Sequence, residues 1–299
     1  MRFRRSELLL DCFFLYIAAA AIAVHVPQGT CTLILTLNAA LVGWSCLFAW
    51  AHPGRGFRLL DRVRDWWPLV ALLVALRETS WLSPVRTPGE VESQLLRWDR
   101  SLLADSGLKT LIDAGAPVVP GLLELAYLLA VALPVVMVAL FYAARQRERI
   151  DDAWSIVLLA VLSVFAISPW IPLETPRLVF PAELLPPDTG LRRLTLAVVN
   201  HTGGRAGTFP SARVALSFAV SFALLRLSKW RLPAGLVGLA FAFVVALAAV
   251  YGRYHYAADL VGGILVACIA GIAGIVLTRT KTSPGTTGKS IFRRREQML

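Results

Sequence analysis

Tyr251-Gly-Arg-Tyr-His-Tyr-Ala-Ala-Asp259 separates two apolar runs, Pro233–Val250 and Ala257–Thr278. Each run is close to the ~20 residues that an α-helix needs to cross a bilayer. The stretch therefore reads as the tip of a helical hairpin in a membrane. His255 and Asp259 stand at i and i+4 at the start of the second helix, on one face. A carboxylate at that spacing can hold one imidazole nitrogen and leave the other as a nucleophile. The bland reading of the same residues is an aromatic belt at headgroup depth, where His255 lies between two tyrosines.

Working outward, apolar runs recur along the whole chain. Six more stand at Leu8–Val26, Cys31–Trp50, Trp66–Ser83, Val118–Ala144, Ala153–Ile171 and Ala212–Leu227. The composition agrees: 57% hydrophobic, 16% charged, mean hydropathy +0.65. A soluble domain carries about 25% charged residues. The expected fold is thus all-α and integral to the membrane, with eight transmembrane helices. The charged start before the first run resembles a signal peptide, but the run is too long for one and is read as an uncleaved helix. Most of the 30 Lys and Arg fall in short segments on one side. By the positive-inside rule those segments are cytoplasmic, with both termini. This places Tyr251–Asp259 on the outer face of a cell (inner) membrane. The +11 charge then reflects topology and anionic headgroups. The basic residues are dispersed over loops, which excludes a nucleic-acid surface.

A second segment, Gly203-Gly-Arg-Ala-Gly-Thr-Phe-Pro-Ser211, runs into the apolar stretch from Ala212. Glycines before a helix N-terminus can form an anion cradle, or simply a loose loop. Residues 84–117 contain an amphipathic helix with Val91, Leu95, Trp98 and Leu102 on one side, expected to lie flat in the outer interface. A short helix is expected over Leu191–Val199. Three charges fall inside apolar runs: Arg77, Glu78 and Glu124. An Arg77–Glu124 pair is the structural expectation; the functional one has Glu78 or Glu124 bordering a polar pocket. Asp11 is expected to be solvated. His25 and His52 read as interface residues. Neither the four cysteines nor any cluster of carboxylates and histidines has metal-ligand spacing, so no cofactor or metal is implied. The tail from Lys281 has no apolar periodicity and reads as disordered. Oligomeric state is not encoded in any pattern seen here.

Pro176-Arg177, Phe209-Pro-Ser211 and Arg253-Tyr-His255-Tyr-Ala-Ala-Asp259 resemble the three signature segments of the type 2 phosphatidic acid phosphatase superfamily. The flavour is that of the branch with inositol phosphorylceramide synthases and bacterial membrane lipid phosphatases. The resemblance runs from Trp66 on. It implies a six-helix catalytic-type domain, 66–279, after two N-terminal helices and an inner loop, 1–65, with a basic tail, 280–299. It also implies a membrane lipid phosphatase or phosphotransferase acting on a lipid phosphate or diphosphate. His255 would attack phosphorus to give a phosphohistidine, with Asp259 orienting it. Arg177, Ser211 and Arg253 would hold phosphate. The family's longer pattern puts its third-segment arginine where Ala249 stands; the named branch puts it two residues before the histidine, as Arg253 is.

The departure is in the second segment. The family reads Pro-Ser-x-His, with the histidine protonating the leaving oxygen; this chain reads Pro210-Ser-Ala-Arg213. Arginine does not act as a general acid near neutral pH. Three readings remain open. A diphosphate leaving group needs no proton, and Arg213 binds its charge. His201 folds back and serves as the acid. Or catalysis has been lost, leaving a lipid-phosphate binding or transport protein.

Overall fold

The computed structural model describes residues 3–51, 58–83, 89–115, 118–180, 185–202 and 209–279. His52, the Gly203–Gly207 cluster and the tail from Lys281 lie outside the described residues. Within them the chain is predominantly helical, with no β-strand. The helices are α1 (Arg5–Ala23), α2 (Gln28–Trp50), α3 (Arg58–Leu82), α4 (Glu90–Arg100), α5 (Leu108–Ala114), α6 (Val118–Leu129), α7 (Leu133–Ala143), α8 (Ile150–Ile167), α9 (Pro176–Val179), α10 (Gly190–Thr202), α11 (Ala212–Leu227), α12 (Arg231–Tyr251) and α13 (Ala257–Arg279).

Among the described residues six segments are long and apolar enough to cross a membrane: Arg5–Ala23, Gln28–Trp50, Val118–Ala143, Arg147–Trp170, Leu232–Tyr251 and Ala257–Gly274. The third of these joins α6 and α7 through a 3₁₀ turn at Ala130–Ala132, just before Pro134. Proline has no N–H to continue the α-helical ladder, which accounts for the tightened turn. The other two expected crossings, α3 and α11, are helices where the apolar runs placed them. α11 has only 16 residues, and α3 carries charges along its length.

The most buried helix is α8, with α1, α3, α11 and α13 packed around it. Its small and branched side chains, among them Ala153, Val157, Ala160 and Val164, are almost fully covered. A helix apolar all round belongs in the middle of a bundle. Facing helices close on it tightly: a Cβ added at Gly274 of α13 would lie 2.5 Å from Ile156.

At the end of the bundle away from Tyr251–Asp259, ion pairs fasten α1 to the rest. Glu7 and Arg64 form a bidentate pair at 2.6 and 2.7 Å, both side chains about 2% exposed. Arg4 donates to Asp65 at 2.7 Å, Tyr142 to the same carboxylate at 2.5 Å, and Arg147 also bonds it. The first N–H groups of α1, at Arg5 and Ser6, donate to the Asp151 carboxylate at 3.2 and 3.1 Å. Those donors have no partner within their own helix, and an acid there also complements the helix dipole. Removing one partner of a buried pair leaves the other charge stranded. Arg64→Ala is therefore expected to destabilise the protein by about 3–5 kcal/mol, read as a lower melting temperature in detergent. The double variant Arg64→Met/Glu7→Leu should recover much of that loss.

Two expectations about buried charge are corrected. Arg77 does not pair with Glu124: its guanidinium lies over Trp81, 5.7 Å from the ring centroid. Glu124 instead binds Arg192 of α10 at 2.8 Å. Asp11 is buried, 9% exposed, near Ser45 of α2, rather than solvated. Glu78 is fully buried beside Asn38 of α2. A buried acid facing α2 meets a polar neighbour there because nothing else can solvate it.

Candidate active site

The α12–α13 connection is made by the backbone before any side chain acts. Tyr254 N–H donates to Ala249 O at 3.0 Å and Arg253 N–H to Val250 O at 3.1 Å. This is the Schellman pattern that ends many helices, and its C′ position is usually glycine. Here Arg253 occupies it, at φ 59°. A non-glycine residue in that region costs about 1 kcal/mol. The turn is held further by Arg177 N–H donating to Arg253 O at 3.0 Å, which ties α9 to it.

Asp259 then performs three jobs at the start of α13. Its Oδ2 accepts from Tyr256 N–H at 3.0 Å, as an N3 acid does in a capping box. The same oxygen faces His255 Nδ1 at 3.3 Å, a long hydrogen bond. Its backbone carbonyl accepts from Ser211 N–H at 2.9 Å, joining α13 to the start of α11. The two helices approach closely because residue 263 is glycine: a Cβ there would lie 2.7 Å from Ser211 O. Asp259 is fully buried; the His255 side chain is 13% exposed.

His255 opens into a cavity of about 200 Å³. Arg177, Arg213, Tyr127, Tyr254 and His255 form its polar end; the remaining lining is mostly apolar, with Leu72 and Leu76 of α3, Val161 and Phe165 of α8, and Leu216 of α11, but includes Thr79, Ser80, Ser168 and Thr175. Among the described residues no carboxylate lines it. Arg213 lies over Tyr127, 4.3 Å from the ring centroid, and Tyr127 stacks on Tyr254 at 4.2 Å and 5°. Behind the stack, Glu124 accepts from Tyr254 Oη–H at 2.7 Å and from Arg192, which also donates to Gly252 O at 3.2 Å. Arg177 donates to Asn200 Oδ1 at 2.8 Å, while its Nη1 is buried without a partner among the described residues. Burial pushes the Arg177 guanidinium below its ordinary value, with its neighbours Arg192 and Arg213 adding to that; it stays charged, and an anion would relieve the cost.

The seven residues expected at the site divide. His255, Arg177 and Arg213 line the cavity, and Asp259 stands directly behind His255. Ser211 is fully buried and caps α11, its hydroxyl 3.5 Å from Val214 N–H. Arg253 does not line the cavity: it is 2% exposed, lies 3.8 Å over the Phe180 ring, and leaves Nε and Nη1 without partners among the described residues. His201 is exposed in the last turn of α10, its Nδ1 2.9 Å from Ala197 O, and does not line the cavity.

Asp99 is a site neighbour that no motif in the sequence marks. The amphipathic helix forms as expected, as α4, but only part of its apolar stripe faces out. Val91, Trp98 and Leu102 are exposed, whereas Leu95 turns inward together with Glu92 and Asp99. Asp99 Oδ1 accepts from Ala257 N–H at 2.9 Å, at the N-terminus of α13. Burial pushes its carboxyl up to about 6, against the opposing pull of that hydrogen bond and of Arg253. The folded chain thus holds this proton more tightly than the unfolded one. Stability is therefore greatest below the ordinary carboxylate pKa and falls as pH rises from about 4 to about 6, by on the order of 3 kcal/mol at most. Asp99→Asn, which keeps an oxygen for Ala257 N–H, should flatten the fall in melting temperature across that window.

Comparison with known proteins follows this geometry. No curated protein matches the chain. A crystal structure of Aquifex aeolicus LpxE aligns over 60% of this chain and 93% of its own, with 17% identity and a TM-score of 0.45. The PAP2 superfamily profile matches residues 93–273, from α4 through most of α13 and after α3. With that match over more than half of its length, the chain belongs to the PAP2 superfamily.

Proposed function

We propose that the protein is a membrane lipid phosphatase or phosphotransferase that takes a lipid phosphate or diphosphate through a phosphohistidine on His255. The observation that carries this is the cavity: two arginines and a histidine at one end, mostly hydrocarbon side chains over the rest, and no carboxylate among the described residues that line it. An amphiphile with an anionic head matches that division. With Nδ1 held by Asp259, Nε2 is the attacking atom. Arg177 binds the phosphoryl oxygens, and Arg213 takes the charge developing on the departing oxygen. Arg253 and Ser211 support the site in the proposed role of shaping the two helix starts around phosphate, with Arg253 able to reach it only by leaving Phe180. Water resolves the phosphohistidine in a phosphatase, and an alcohol such as inositol in a transferase. The preponderance of arginine and lysine at the other end supports an outward-facing site, eight crossings and cytoplasmic termini.

The test is to incubate purified protein with radiolabelled lipid phosphates and diphosphates, with and without alcohol acceptors. Release of phosphate or a phosphorylated alcohol, with acid-labile label on the protein, is expected. Tight binding of every substrate without product would favour the second reading, a lipid-phosphate binding or transport protein. The observation on that side is Arg213 in place of the family's histidine.

A further inference from the structure

Resting on that reading, we infer that the Tyr127 hydroxyl supplies the leaving-group proton, the task of the histidine this chain lacks. Tyr127 of α6 lines the polar end of the cavity with Arg177, Arg213 and His255. Its ring centroid lies 6.5 Å from that of His255, inclined at 63°. Both rings border the same cavity, where a general acid must come within about 3 Å of the oxygen it protonates.

The groups around the phenol fix what it can do. Arg213 comes from α11, its guanidinium 4.3 Å from the centre of the Tyr127 ring, and Arg177 comes from α9 on the same lining. A guanidinium only donates hydrogen bonds, so it can meet only the phenol oxygen's lone pairs. The phenol proton is left to point elsewhere. Glu124, on the same helix, is the carboxylate close enough to matter, and it is occupied by Arg192 and Tyr254. Tyr254 offers Tyr127 its ring face rather than an acceptor. His201, the other candidate acid, is exposed and outside the cavity lining.

The chemistry closes. The His255 Nε2 lone pair forms the N–P bond as the P–O bond to the lipid breaks. The electron pair goes to the leaving oxygen, which takes the Tyr127 proton. The tyrosinate is held between two cations. In the second step water attacks phosphorus, the P–N pair returns to the imidazole, and the water's proton restores the phenol. One residue thus serves as acid and then as base, and the lipid alcohol and inorganic phosphate leave.

Tyr127→Phe keeps the ring, its stacking and the Arg213 contact while deleting the proton. Cleavage of a lipid phosphate monoester, whose alkoxide must be protonated, should fall about 10²-fold or more relative to an aryl phosphate, whose leaving group needs no proton. The alkaline limb of the monoester pH profile should vanish. 3-Fluorotyrosine at position 127, a more acidic phenol of nearly the same size, should move that limb to lower pH. An equal loss on both substrates, or no loss on the monoester, would overturn the inference while leaving the phosphatase reading intact. Wild-type protein that releases nothing from either substrate would overturn both.

Discussion

His255→Ala should reduce turnover of every phosphorylated lipid by at least about 10⁴-fold, as loss of a covalent nucleophile does elsewhere. The acid-labile label on the protein should vanish with it. Binding of substrate should survive, because Arg177 and Arg213 hold charge independently of the imidazole. Asp259→Asn is the informative companion. It preserves an oxygen that can cap Tyr256 N–H and leaves the backbone bond to Ser211, yet removes the negative charge behind His255. A fall in rate with an unchanged melting temperature would place the role of Asp259 in the chemistry. A fall in both would place it in the architecture. A His255→Ala protein that keeps its activity would end the phosphohistidine proposal outright.

Arg213→Ala should slow cleavage of lipid diphosphates by about 10²–10³-fold, the usual cost of deleting one charged contact to a developing anion. The loss should appear in kcat more than in KM, since the charge it meets grows only as the bond breaks. Arg213→Lys keeps a cation but not the planar fork and should recover only part of the rate. If Arg213→Ala raised KM alone, the arginine would be a binding group for the resting phosphate.

The sequence carried the bundle well. The apolar runs mark the long helices because hydrocarbon length is set by the bilayer, whatever the rest of the chain does. The His255–Asp259 pair was equally plain, since i, i+4 spacing leaves the two side chains few places to go. What failed was longer in range. Glu124 needed a cation, and Arg77 stood in the preceding apolar run; its partner, Arg192, comes 68 residues later, out of a proline-rich loop whose path no periodicity reveals. Ser211, expected to hold phosphate, caps α11 with its hydroxyl, as a serine before a helix commonly does. Arg253 matched a motif position, but the left-handed turn at its own backbone aims the side chain at Phe180. Asp99 belongs to no motif, and its partner, the N–H of Ala257, comes 158 residues later.

The inward turn of Glu92 and Asp99 at α4 has a practical consequence. Val91, Trp98 and Leu102 need hydrocarbon, and Glu92 and Asp99 need the α13 end of the protein, so the segment is at home only at a three-way junction of protein, lipid and headgroup. An excised peptide would bury the wrong side. A detergent that wets the bundle but strips its rim would loosen α4 and leave the first N–H of α13 without its acceptor. Activity measured in micelles should therefore track how well the amphiphile mimics an interface, and reconstitution into bilayers is the state in which this enzyme should be compared with its variants.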